Sequence, residues 1–336
     1  MERREKNQKY KIIFAKAPYR ISLFGGGTDF PEWFNKNQSS VISFSINRYA
    51  TIGLRELPPF FEEKYRIIWS KIETVKKLSL IKHPVVKKIL ELKKIKHGIE
   101  VHHYGDLPAR SGVGSSSSFT VCLIGLLNYF LGKKIDKITL AKDAINFERN
   151  ILNEIGGWQD QIIVSLGGFK KINFHHKEFS YKNFYLQKKS LNEIEESLVL
   201  FYTGFSRNSY EIQKEFKKNL SKLSTELKII NQLAIHAEKI ILSEKNYHEI
   251  GSLLNESWKI KKTFSKLVSN DRIDQIYETA INSGASGGKL LGAGQNGFML
   301  FYCPKNQQKK LFKSLKKLVH VPFNFDYSGF KIMNKI

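Results

Sequence analysis

Residues 107 to 118 read Leu-Pro-Ala-Arg-Ser-Gly-Val-Gly-Ser-Ser-Ser-Ser and run directly into the apolar stretch Phe119 to Leu131. Gly112 and Gly114 let the backbone turn tightly and approach a ligand closely, and four consecutive hydroxyls follow. A helix starting at this point directs its positive end back at the loop. The combination is suited to holding phosphate. No Gly-Lys-Ser/Thr closes it, so the anion must be held by main-chain N–H groups, hydroxyls and the helix dipole rather than by a Walker lysine. A Ser-rich linker is the alternative on composition alone, and the compact apolar helix that follows argues against it.

The chain of 336 residues, 41% hydrophobic, is long enough for two medium domains with real cores. Its two cysteines, Cys122 and Cys303, sit in apolar runs, which predicts buried thiols and fits a reducing cytoplasm. The charged start lacks a following apolar segment, and Phe119 to Leu131 is too short to span a bilayer, so a soluble protein without membrane partners is expected. The net charge of +24 invites a nucleic-acid reading. Lysine outnumbers arginine several-fold, however, and is scattered along the chain with no recognition signature, so no specific nucleic-acid partner is expected. Oligomeric state, a homo-oligomer included, is left open.

Outward from the Ser loop the chain reads as mixed α and β, without internal repeats. Lys11 to Ala15 and Tyr19 to Phe24 form a strand region entering a glycine turn, Val41 to Leu54 holds further strands, and Ile99 to Tyr104 leads into the loop. Helices are predicted over His83 to Lys93, opened by Pro84, and over Leu140 to Ile155, stopped by Gly156-Gly157. A polar stretch, His175 to Asn192, separates Ile172 to Phe174 from the strand Leu198 to Thr203, and the domain boundary is placed there, giving 1–192 and 193–336. Long helical patterns follow at Ser209 to Ser243 and His248 to Leu267, then a helix at Ile273 to Ser283, two strands around Gly292 to Gly297, and a last helix at Gln307 to Leu318.

Three further groupings carry chemistry. In Phe24-Gly25-Gly26-Gly27-Thr28-Asp29 a carboxylate just past three glycines suits vicinal hydroxyls of a sugar, with Arg20 nearby; an ordinary hairpin turn with an Asx cap is the alternative. Glu148 on a helix and Asp160 in the turn after it could converge on one site, the first holding magnesium and the second taking a hydroxyl proton. Equally, Glu148-Arg149 could be a solvated helix face and Asp160 a helix start. The run Gly287 to Gly297 contains a Gly-x-Gly-x-x-Gly match at 292, 294 and 297, but Phe298 to Tyr302 after it is strand-like. A glycine hairpin between two strands is therefore the better reading than a dinucleotide loop.

In this order the segments resemble the GHMP family of small-molecule kinases, with motifs at Ala17-Pro18-Tyr19-Arg20 through Asp29, at Leu107 to Ser118 and at Gly287 to Gly297. The wording from Phe24 and from Asp106 is similar to the sugar-kinase branch, which includes kinases of a heptose 7-phosphate. The resemblance implies an α+β fold of two domains: an N-terminal ribosomal-protein-S5-like domain and a C-terminal ferredoxin-like domain, with ATP and sugar between them. It implies ATP as co-substrate, with Arg110, Ser111, Gly112, Val113, Gly114, Ser115, Ser116 and Ser117 around its phosphates. Ser116 and Glu148 would hold Mg2+, Asp160 would orient or deprotonate the attacking hydroxyl, and Arg20 would serve Asp160 as counter-charge and help neutralise the transferred phosphoryl group. Gly26, Gly27, Thr28, Asp29 and Gly294 would face the sugar, whose anomeric hydroxyl is attacked. Arg110 and Arg207, each among small or polar residues, are candidates for a distal sugar phosphate. A fucose- or galactose-type substrate, or a non-catalytic sensor on the same fold, are the alternatives. Gln295 and Asn296 depart from a motif that is usually richer in glycine.

Overall fold

The computed structural model describes residues 12–95, 97–204 and 209–333. It contains two sheets. The first is built on two long strands, β1 (Ile13–Phe24) and β2 (Ser39–Glu56), which pair antiparallel over most of their length. The sequence predicts two short pieces on either side of Ala17-Pro18. Instead one strand runs through, because a register shift between Pro18 and Tyr19 absorbs the proline at a bulge, where no ladder N–H is needed. Lys11, the expected start, lies outside the described residues.

Between β1 and β2 lies the short helix α1 (Pro31–Phe34). Next come β3 (Tyr65–Ile68), β4 (Ile72–Val75), α2 (Pro84–Leu92) and β5 (Ile99–Gly105). The far edge of β2 is shared: its second half pairs with β5 and its first half with β6 (Phe169–His175), which in turn pairs with β7 (Glu178–Asn183). Strand β7 falls in the polar stretch His175 to Asn192, where no strand is predicted. It is an edge strand with alternating exposed and half-buried residues, so its polarity reflects exposure rather than the absence of a ladder.

Three helices pack behind this sheet: α3 (Ser115–Phe130), α4 (Lys137–Asn146) and α5 (Gln159–Leu166). α3 lies against β1 and β2 and is buried around nearly its whole circumference, which explains why its sequence is uniformly apolar instead of amphipathic. The helix expected over Leu140 to Ile155 ends at Asn146 and gives way to a π-helical turn, Phe147–Ile151, in which Leu152 N donates to Phe147 O at 2.9 Å. Gly156-Gly157 is thus not the helix stop.

After α6 (Lys188–Ser197) and β8 (Leu198–Tyr202) come α7 (Ser209–Asn219), α8 (Ser224–Ser243), α9 (Glu249–Lys262) and α10 (Asp271–Asn282). The pattern read as one helix over Ser209 to Ser243 is broken at 220–223, where Asn219 O accepts both Lys222 N and Leu223 N. Then follow β9 (Gly287–Leu290), β10 (Phe298–Tyr302), α11 (Gln308–Ser314) and β11 (Val319–His320). The second sheet runs β11-β8-β10-β9 with every pairing antiparallel, so its strands take the order fourth, first, third, second, as in a ferredoxin-like split βαβ unit. The last strand, β12 (Lys331–Met333), returns to the first sheet and pairs with β1. Cys122 and Cys303 are buried free thiols. Among the described residues no helix is long and apolar enough to cross a membrane.

The returning strap is seated by a glycine. A Cβ added to Gly125 of α3 would lie 2.4 Å from a ring carbon of the buried Phe330. Gly125→Ala is therefore expected to lower stability by about 1–3 kcal/mol in denaturant unfolding, as overpacking of a filled core does. Phe330→Leu in the same chain should recover part of that loss. No recovery would mean that the strap is not held at this contact.

Candidate active site

The Ser loop leaves β5 and enters α3 through two glycines with left-handed backbone, Gly112 at φ 87° and Gly114 at φ 74°. Gly114 is the residue before the helix and offers no side-chain cap, so the first N–H groups of α3 keep no side-chain partner and face outward as anion donors. The hydroxyls divide their work. Ser111 Oγ donates to Pro108 O at 2.6 Å and Ser118 Oγ to Pro18 O at 2.8 Å, which fastens the loop to its own start and to β1. Ser115 Oγ accepts Arg110 N at 3.1 Å, and Ser116 is exposed. Val113 is fully buried and its carbonyl accepts Arg20 N at 3.0 Å. Arg110 has φ 58° and an exposed side chain; its charge partly offsets the upward push that burial gives the Glu154 carboxyl. Arg207 lies outside the described residues.

Arg20 projects from β1 under this loop and ties it to the opposite wall. Its Nε donates to Asp160 Oδ1 at 2.6 Å, one terminal nitrogen to Asp160 Oδ2 at 2.5 Å, and the other to Gly112 O at 2.5 Å. This two-pronged ion pair is among the strongest single contacts a side chain can make. Asp160 stands in the first turn of α5, where the helix dipole favours a carboxylate, and its side chain is 23% exposed, so it remains reachable while Arg20, at 7%, is not. The space for Arg20 exists because residue 114 has no side chain: a Cβ there would lie 2.9 Å from Arg20 Cγ.

Asp29 lies deeper, at 2% exposure. Its carboxylate accepts Gly27 N at 3.0 Å and Gln159 N at 3.3 Å, so it caps the start of α5 from across the glycine turn. Burial, and next the charge of Asp160, push its carboxyl above the usual range. A Cβ on Gly157 would sit 1.8 Å from Asp29 Oδ2, so the glycine pair after the π-helical turn is a seat for this carboxylate. Thr28 is buried, with its hydroxyl donating to Gly25 O at 2.8 Å inside the turn. Gly26 and Gly27 are partly exposed, and Phe216, Leu227 and Phe264 form an apolar wall beside Gly27.

Glu148 and Arg149, read as a possible solvated helix face, both point inward. Arg149 pairs with Glu32 at 2.7 Å and donates to Gly156 O at 2.8 Å, so it holds the segment leading to Asp160. Glu148 is 4% exposed; its Oε2 accepts Ser117 Oγ at 2.9 Å and Gln161 Nε2, whereas Oε1 is buried without a partner. Burial, and next the charge of Glu154, push its carboxyl up to about 7. A buried carboxylate with one unsatisfied oxygen fits a cation as neighbour. Among the described residues no three His, Cys, Asp or Glu side chains gather to cage a metal. The hydroxyl bonded to Glu148 is that of Ser117; none of the bonds in the described residues ties Ser116 to it.

The third glycine motif closes the site from the second sheet. Gly292 and Gly297 pack backbone to backbone on the Ser loop: a Cβ on Gly292 would meet Gly112 Cα at 2.5 Å, and one on Gly297 would meet Ser111 O at 2.3 Å. Gly294, at φ 143°, packs on Val268, and Gln295 takes a left-handed φ of 64° with its N–H on Val268 O at 3.0 Å. Two lysines that sequence reasoning passed over lie here. Lys289, on β9, is 5% exposed and donates to Leu23 O of β1 at 3.2 Å; Lys261, on α9, donates to Leu290 O at 3.0 Å and Gly292 O at 2.6 Å. Burial and the charge of Arg20 bring Lys289 down to about 8, although Asp29 pulls the other way. Burial and the charges of Lys289 and Arg20 hold Lys261 well below the usual lysine range. The available signal is a cation inside the otherwise apolar and glycine run Gly287-Gly288-Lys289-Leu290.

Lys289 links the site to stability. Its proton is held less firmly in the folded chain, at about 8, than at the ordinary value of 10.5. Below about pH 8 both states carry the charge and the whole burial cost is present; between about 8 and 10.5 the unfolded chain binds more protons, so stability rises with pH. Lys289→Met is expected to raise stability at pH 7, by on the order of a few kcal/mol at most, and to flatten that rise. Denaturant unfolding from pH 6 to 10.5 checks this; an unchanged slope would contradict it.

With this geometry in place the comparisons with known proteins are specific. Residues 79–168 match the GHMP kinases N terminal domain, and residues 237–319 match the GHMP kinases C terminal domain. The chain is 30% identical over 326 residues to a D-glycero-alpha-D-manno-heptose 7-phosphate kinase of Campylobacter jejuni, covering 91% of this chain and 94% of that protein. Among solved structures, a D-glycero-D-manno-heptose 1-phosphate kinase of Bacteriodes thetaiotaomicron superposes with a TM-score of 0.78 at 22% identity, covering 96% of this chain and 99% of the other. Lactococcus lactis galactokinase with galactose gives 0.74 at 18% identity, covering 97% and 96%. These last two share the fold. The chain belongs to the GHMP kinases and is a phosphotransferase with an alcohol group as acceptor.

Proposed function

We propose that the protein transfers the γ-phosphoryl group of ATP to the anomeric hydroxyl of a sugar, and that this sugar is a heptose 7-phosphate, giving the 1,7-bisphosphate. The observation that carries the reaction is the Arg20 guanidinium, which holds Asp160 with two N–H groups and the phosphate loop at Gly112 O with a third. A proton acceptor and the phosphate cradle are thereby fixed to one rigid planar group. The name of the Campylobacter jejuni relative supports the heptose.

Main-chain N–H groups at the start of α3, from Ser115, Ser116 and Ser117, and the Gly112-Val113-Gly114 turn bind the phosphates. Ser116 and Glu148 would hold Mg2+, which when bound neutralises charge on the phosphate oxygens. Asp160, reachable beside the buried guanidinium, orients the acceptor hydroxyl and takes its proton. Asp29 with Gly26 and Gly27 lines the sugar side, and Gly294 belongs to the hairpin that closes it. Two functional lobes, 1–192 and 193–336, meet at this cleft; the division falls within α6, and β12 crosses back.

Asp160→Asn is expected to lower single-turnover rate by roughly 10²–10⁴, the usual contribution of a positioned base, while ATP binding is retained. Turnover near that of the unaltered protein would remove Asp160 from the mechanism. The acceptor is tested by initial rates with D-glycero-D-manno-heptose 7-phosphate, L-fucose and D-galactose. The heptose phosphate is expected to give the highest kcat/KM, and a clear preference for an unphosphorylated hexose or deoxyhexose would overturn the substrate while leaving the reaction type intact.

A further inference from the structure

Next to the Arg20–Asp160 pair are two buried side chains, each with a polar atom that has no hydrogen-bond partner. Ser22 is 8% exposed and Gln159 is 7% exposed; Ser22 Oγ and Gln159 Oε1 are both buried without a hydrogen-bond partner. A buried polar atom left alone costs about 1–3 kcal/mol, and each such atom in a native fold needs a reason. These two also converge. The position of a Cβ on Gly26 lies 3.0 Å from Ser22 Oγ and 3.8 Å from Gln159 Nε2, and beyond the turn's own residues nothing else among the described residues comes within 4 Å of it. Open space therefore begins at Gly26, and the two polar side chains bound it.

Their places in the chain put that space in the site. Side chains alternate along a strand, so Ser22 stands on the same face of β1 as Arg20, two residues earlier. Gln159 immediately precedes Asp160 in the first turn of α5, and its backbone N–H is held by Asp29. Thr28, by contrast, has its hydroxyl engaged within its own turn. A hydroxyl donor and acceptor at Ser22 and a carboxamide at Gln159, with both donor and acceptor capacity, match the vicinal hydroxyls of a sugar ring and not a phosphate, for which cations would be placed.

We propose that Ser22 and Gln159 hydrogen-bond ring hydroxyls of the acceptor sugar beside Gly26 and determine which sugar is phosphorylated. This rests on the sugar-kinase reading. A site built to bond a hydroxyl rejects an analogue that lacks it far more strongly than an apolar pocket rejects a lost methylene, because its own buried polar atoms stay unpaired.

The test compares the intact enzyme with Ser22→Ala and Gln159→Leu, using heptose 7-phosphate, L-fucose, D-galactose and D-mannose, together with mono-deoxy forms of whichever is turned over fastest. Leucine keeps the backbone N–H that Asp29 accepts. Each variant is expected to lose about 10–100-fold in kcat/KM for the best sugar, and to lose about twofold or less for the one deoxy analogue missing the hydroxyl it reads, with KM for ATP unchanged within about twofold. Because Ser22 Oγ and Gln159 Oε1 have no protein partner, the thermal midpoint should stay level or rise. An equal loss on every sugar would make Gln159 a support for Asp160 and overturn the assignment, as would no loss on any, the result expected if a buried water satisfies these atoms. If the intact enzyme phosphorylates none of the sugars, the sugar-kinase reading itself falls, and the assignment with it.

Discussion

The Arg20 guanidinium is the constraint on which the site depends. It is planar, always charged and nearly buried, so each of its bonds must be satisfied in place or the fold bears an unpaired charge. Three of its nitrogens are committed, two to Asp160 and one to Gly112 O, and its backbone N–H goes to Val113 O. Strand β1, the phosphate loop and the first turn of α5 thus all meet at one residue. The group bridges sequence separations of 140 and 92 residues and gives both carboxylate oxygens of Asp160 a defined orientation.

Glycine placement makes this possible on every side. Residue 114 must lack a side chain for Arg20 to lie beneath the loop, and residue 157 must lack one for Asp29 to cap α5. At the seam between the sheets, Gly292 against Gly112 and Gly297 against Ser111 bring two backbones together at distances no side chain would permit. Lys289 crosses the same seam to Leu23 O, and Lys261 supports the hairpin behind it. Three cations, Arg20, Lys261 and Lys289, then stand near two carboxylates, Asp29 and Asp160. Burial and their mutual repulsion hold both lysines below the ordinary lysine range, and the cluster favours an incoming polyanion.

What could be read from the sequence was whatever local chemistry dictates. The Ser loop, the glycine hairpin before a strand, the mixed α and β order and the buried thiols rest on short-range signals, and the ferredoxin-like strand order came through resemblance. The π-helical turn at Phe147–Ile151 has no such signal, since its apolar spacing matches an ordinary helix, and only the bond from Leu152 N to Phe147 O distinguishes it. Gly156-Gly157 looked like a helix stop because a seat for Asp29, more than a hundred residues away in sequence, cannot be inferred from the pair itself. Strand β7 was hidden by the polarity of an exposed edge, and the break between α7 and α8 by continuous helical periodicity. Lys289 has one local cue, a cation inside a glycine and apolar run, and that cue gains meaning only from its burial.

The central claim is that Arg20 and Asp160 act as one unit. The most direct measurement is a double-mutant cycle on single-turnover phosphoryl transfer with Arg20→Met and Asp160→Asn, alone and combined, under saturating ATP. Groups that work together are grossly non-additive, so the combined variant should be slower than the worse single variant by no more than about threefold. If instead the two losses multiply, the guanidinium and the carboxylate contribute independently and the account is wrong.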